Sequence, residues 1–135
     1  MILYNNNLIT LDYDPATDIV HVGYPDLHGY LLSEVKHSID IIVDTVRSYD
    51  IKRLFLDSTK TVISVSEEES REISIYLAKG LATTRLQKLA RLQTSNTVLE
   101  ERSQNTIRVI NSTMSIPFLI KNFSDKTEAA AWLIT

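Results

Sequence analysis

The chain has 135 residues, 44% hydrophobic and 23% charged, with three Gly, three Pro and a formal net charge of −3. That composition describes one globular α/β-sized domain with no obligatory disordered part. The slightly acidic balance excludes a dedicated nucleic-acid surface, which needs an excess of Lys and Arg, and the absence of cysteine excludes disulfides and thiolate metal sites.

In chain order, Ile9, Leu11 and Tyr13 alternate with Thr10 and Asp12, and Val20, Val22 and Tyr24 alternate with Ile19 and His21. The turn formers "DPATD" lie between them, so an antiparallel hairpin is expected. The period then changes. Leu31, Val35, Ile39, Ile42, Val43 and Val46 recur at three and four, which predicts a helix over about residues 30 to 48. The apolar run 51 to 56 reads as a strand buried on both faces.

Ser66 followed by Glu69 is a capping-box pattern, and Ile73, Tyr76, Leu77 and Leu81 continue it as one face of a helix over about 67 to 82. "LQKLARL" suits a short strand, with helix as the alternative, and residues 96 to 111 read as an exposed helix with a polar middle, "EERSQNT". "SIPFLIKNF" is a last strand that Pro117 marks as an edge or strand start. Ser124 or Asp125 caps a final helix ending in "AAAWLIT". The order β-β-α-β-α-β-α-β-α predicts a single α/β domain over 1 to 135, its sheet parallel through the later strands. The opening residues carry no basic stretch ahead of an apolar one, and no apolar run approaches the about 20 residues of a membrane span. A cytoplasmic protein without membrane contact is the expectation.

Two acidic positions invite a chemical reading. "LDYDPAT" places Asp12 and Asp14 after an apolar strand, as in phosphotransferases whose first Asp attacks phosphate beside magnesium. The chain then returns as a strand instead of entering a helix, so Asp14 and Pro15 read as turn formers. Asp57 ends an apolar strand, as a phospho-accepting aspartate would. Such chemistry wants an acidic pair after the first strand and a lysine near the last, and neither Asp12 and Asp14 nor Lys121 is so placed. Asp57 is therefore read as a structural residue that bonds backbone N–H groups where strand turns into loop. His21, His28 and His37 have no metal-ligand spacing. Lys79, Arg85, Lys88 and Arg91 read as a solvated basic edge, with a protein-binding patch as the alternative. Glycine occurs only at 23, 29 and 80, which leaves no phosphate-cradling loop, and no serine-nucleophile motif is present.

Taken together, "LITLDYDPATDIVHVGYP", the long amphipathic helix, "IKRLFLDST" and the closing "FSDKTEAAAWL" resemble the STAS-like proteins related to anti-sigma factor antagonists. The likeness is to their small stand-alone bacterial branch of largely unassigned function. It rests on the hairpin, the strand ending Leu56-Asp57, and Phe123, Ser124, Asp125, Ala129, Ala130, Trp132 and Leu133 at the end. The resemblance implies a mixed sheet with about four helices, Trp132 and Leu133 buried against it, and no cofactor or metal. It also implies a non-catalytic regulatory role through a protein partner, possible choices being kinase- or sigma-related. Partner-switching members phosphorylate a Ser in an Asp-Ser-(Ser/Thr)-Gly turn at the second helix. This chain reads "VISVSEEES" there, so any phosphorylation or partner contact is expected at Ser64 or Ser66, with glutamates adding like charge. The alternatives are an apolar-ligand or lipid carrier, from a wider likeness to CRAL-TRIO proteins, and a phosphotransferase using Asp57 or Asp12. An edge strand and a partly apolar helix could also support a homodimer.

Overall fold

The computed structural model describes residues 1–5, 9–23, 32–57, 67–92, 97–113 and 116–135. They form β1 (Ile2–Asn5), β2 (Thr10–Asp14), β3 (Ile19–Gly23), α1 (Leu32–Ser48), β4 (Arg53–Asp57), α2 (Glu67–Leu81), β5 (Lys88–Leu92), α3 (Thr97–Thr113), β6 (Leu119–Phe123) and α4 (Lys126–Leu133). The strands make one mixed sheet in the order β1-β2-β3-β4-β5-β6. β1, β2 and β3 pair antiparallel, and β3 through β6 run parallel. β1 is an addition to the expected elements. Four residues, ILYN, are too few for alternation to declare itself, and the strand forms by pairing along β2 with a bulge between Ile2 and Tyr4.

The hairpin turn is held as its composition predicts. The Asp14 carboxylate accepts the Ala16 N–H at 3.0 Å, and Asp18 takes a left-handed φ of 55° that Asp tolerates better than most residues. Its carboxylate accepts the Tyr13 hydroxyl at 2.7 Å, which pushes the phenol up to about 12.

Each parallel connection steps one strand in the same direction, so right-handed crossovers put their helices on one face of the sheet. Val35, Ile39, Ile42 and Val46 of α1, with Ile73, Leu77 and Leu81 of α2, share a core with Leu54, Leu56 and Leu89. α3 lies against α2. α1 ends in a Schellman closure: Ile51 N–H reaches the Val46 carbonyl oxygen at 3.0 Å, past Asp50 at φ 53°. The two helices approach closely at Gly80, where a Cβ would stand 2.7 Å from Val43 Cγ2.

After β6 the chain turns, and α4 returns over β4, β5 and β6. Of the two expected caps it is Asp125 that serves, its carboxylate accepting the Thr127 N–H at 2.9 Å. α4 covers the opposite face, in a second core of Ile19, Phe55, Ala90, Leu92, Phe123, Ala129 and Leu133. Fully buried Ala90 and Ala129 are small enough for helix and strand to sit close. Leu133 is fully buried, as expected, whereas Trp132 is only partly buried, its ring 5.6 Å from that of Phe123. β4 sends Leu54 and Leu56 to one core and Phe55 to the other, which is why its sequence is continuously apolar. Among the described residues no helix is long and apolar enough to cross a membrane.

Candidate functional site

Open parallel sheets offer ligands a crevice at the carboxyl ends of their strands, and Asp57 lies there. It is the last residue of β4, partly buried, in register with Gly23 on one side and with Leu92 and then Phe123 on the other. Ser58, Thr59 and the expected switch residues Ser64 and Ser66 lie outside the described residues.

Asp12 shares this sheet face but sits beside His21. β3 stands between β2 and β4, and two strand spacings of about 4.8 Å put the carboxylates too far apart for both to hold one ion directly. Asp12 instead accepts from the Met1 amine at 2.9 Å. Lys121 aligns with Ala90, and through it with Phe55, not with Asp57. Among the described residues no group of three His, Cys, Asp or Glu could hold a metal. The His21 ring tilts over Phe55 at 5.2 Å. Burial, then the Lys126 charge, pushes its pKa below the ordinary range, against the opposing pull of Asp12 and Asp14. His37 is exposed, and His28 lies outside the described residues.

The expectation of one solvated basic edge is corrected by the pleat of β5. Lys88 and Arg91 are three residues apart, so they point to opposite faces. Arg91 is only 9% exposed on the α1 side and donates to Asn122 Oδ1 at 3.2 Å. Lys88 turns to α4, donating to the Trp132 carbonyl oxygen at 3.0 Å and the Thr135 hydroxyl at 3.1 Å, its ammonium 5.1 Å from the Trp132 ring centroid. Lys79 and Arg85 are exposed, as expected.

The surface feature with a definite capacity for binding is the outer edge of β6. β6 ends the sheet, and its pairing with β5 is regular from Leu119 to Phe123. Leu119 donates its N–H to the Gln87 carbonyl oxygen at 3.0 Å. Backbone groups alternate sides along a strand, so Leu119, Lys121 and Phe123 address β5 while Ile120 and Asn122 present N–H and C=O outward. On the α4 side, Leu119 is 61% exposed and Lys121 is exposed beside it, its ammonium 5.3 Å from the Phe123 ring centroid. Lys88, the register neighbour of Leu119, reaches the last turn of α4, so Ile134, 55% exposed, lies at the same end of this face. β1, at the other edge, is broken by its bulge. Pro117 leaves edge and strand start open as readings; it lies just ahead of β6, which is the edge strand, and what that edge displays was missed. The alternation Leu119-x-Lys121 is visible in the sequence, yet which backbone groups face outward depends on the pairing with β5.

No protein-family model matches the chain, and no curated protein or solved structure matches it either.

Proposed function

We propose that this chain is a non-catalytic, STAS-like regulatory module that acts in the cytoplasm by binding another protein. The observation that carries the reading is the β6 edge: a regular strand with outward backbone groups and an exposed aliphatic side chain. Natural sheets blunt their edges with bulges, cover, proline or charged side chains, lysine above all; β1 carries the bulge, whereas β6 pairs regularly and bears one lysine, Lys121, beside exposed Leu119. The wide separation of Asp12 and Asp57 gives a phosphotransfer mechanism no shared centre among the described residues. The resemblance offers a kinase- or sigma-related protein as the partner, with Ser64 and Ser66 as the positions through which phosphorylation would tune it.

The test has two arms on the purified chain. Phosphomonoesters and acyl phosphates are offered with magnesium, and the tagged chain is cross-linked in cell lysate with its complexes quantified. The reading expects no turnover and one protein recovered in near-equal amount. Turnover abolished by Asp57→Asn or Asp12→Asn would overturn it.

A further inference from the structure

We propose that the outer edge of β6, which pairs with no further strand among the described residues, binds an extended segment of a partner protein in which an acidic residue stands two positions from an aliphatic one. This rests on the protein-binding reading above and adds the surface and the chemistry of its occupant. The outward N–H and C=O groups of Ile120 and Asn122 are spaced to pair with one added strand, the route by which sheet edges capture extended peptides. Side chains supply the selectivity. Leu119 and Lys121 point to the same face, so residues opposite them on an added strand are also two apart. An aliphatic residue opposite Leu119 covers that exposed side chain, and a carboxylate opposite Lys121 makes a cross-strand ion pair. Lys121 is available for this: among the described residues it is in no ion pair.

A second copy of the chain fits this edge poorly. Antiparallel two-fold pairing that uses the whole of β6, Leu119 to Phe123, centres on Lys121. Lys121 turns its own backbone groups toward β5, so the two lysines would meet at a non-hydrogen-bonded position, where opposed side chains are closest. Like charges directly opposite each other destabilise a pair. The edge therefore repels its own copy and accepts an acid.

The probe is a displayed library of random heptapeptides selected on the intact folded chain, with winners synthesised and their Kd measured by fluorescence anisotropy. Enriched peptides should show the aliphatic-x-acidic pattern. Lys121→Glu should weaken them about tenfold, because a cross-strand attraction becomes a repulsion. Selection on the Lys121→Glu chain should enrich Lys or Arg at the same peptide position. Ile120→Pro removes an outward N–H that β5 does not use, so it should also weaken binding. Should Ile120→Pro fail circular-dichroism checks of folding, the exposed Lys121→Glu change still decides. No enrichment, or enrichment without the acidic position, would overturn the proposal. So would a dimer in sedimentation that Ile120→Pro dissociates, since a second copy would then be the occupant. Peptides that bind but ignore both substitutions would overturn the edge while leaving the protein-binding reading intact.

Discussion

Gly80→Ala sets two physical effects of opposite sign against each other. In an exposed helix interior, replacing Gly with Ala gains about 1 kcal/mol of helix propensity. Gly80 is not in that situation, since the added Cβ would stand 2.7 Å from Val43 Cγ2 and 3.5 Å from Cγ1. Carbon atoms prefer a separation of about 3.5 to 4.0 Å, so α1 and α2 must part by most of an ångström or Val43 must turn away. Val43 is itself buried in the core, and a helical valine has one strongly favoured rotamer. Overpacking of this kind costs about 1 to 3 kcal/mol, so Gly80→Ala should be destabilising by about 1 kcal/mol net. The assay is urea unfolding followed by the fluorescence of Trp132, the one tryptophan in the chain, with circular dichroism as a second probe. In a Val43→Ala background the clash is gone, and Gly80→Ala should become stabilising by up to about 1 kcal/mol. A Gly80→Ala protein more stable than the parent, or no coupling to Val43→Ala, would refute the close approach of the two helices.

Leu133→Ala, at a fully buried position under α4, should cost about 3 kcal/mol in urea unfolding. Trp132→Ala should cost less, about 1 to 2 kcal/mol, because the partly buried ring gives up its contacts with Phe123 and Lys88 but leaves no enclosed cavity; a melting temperature unchanged in the Leu133→Ala protein would remove α4 from the core. The two left-handed aspartates should part company. Asp50→Gly relieves its backbone and loses only exposed ion pairs, so it should be neutral or stabilising by up to about 1 kcal/mol. Asp18→Gly also gives up the Tyr13 bond and should lose about 1 kcal/mol, which thermal unfolding of the pair will show. The Tyr13 phenol is raised from 10.0 to about 12 in the folded chain. Its contribution is therefore complete below pH 10 and disappears as pH rises through about 12. Denaturation midpoints across that range should fall less steeply in Tyr13→Phe than in the parent.

Most of the fold was legible because its signals are local and repeated. The three-and-four spacing of Val35, Ile39, Ile42 and Val46 and the unbroken Leu54-Phe55-Leu56 run each admit one reading of period, and the structure follows both. β1 was hidden because a four-residue strand takes its identity from the partner it pairs with. Lys88 and Arg91 were misread together because a basic run looks continuous until the pleat separates it. Trp132 is less buried than its size suggested, since α4 seats its alanines and Leu133 on the sheet and leaves the indole at the flank. The candidate edge was half visible: Pro117 and the Leu119-x-Lys121 alternation stand in the sequence, while the outward direction of Ile120 and Asn122 comes from pairing across chain segments about thirty residues apart.

The most direct measurement on the proposed interface is residue-resolved amide hydrogen exchange along β6, with and without a saturating enriched peptide. In the free chain the Ile120 and Asn122 amides should exchange much faster than those of Leu119, Lys121 and Phe123, whose N–H groups turn toward β5. With peptide bound, the Ile120 and Asn122 amides should become protected while the other three change little. Ile120 and Asn122 already protected in the free chain, or still exchanging freely with peptide bound, would contradict the edge as the protein-binding surface.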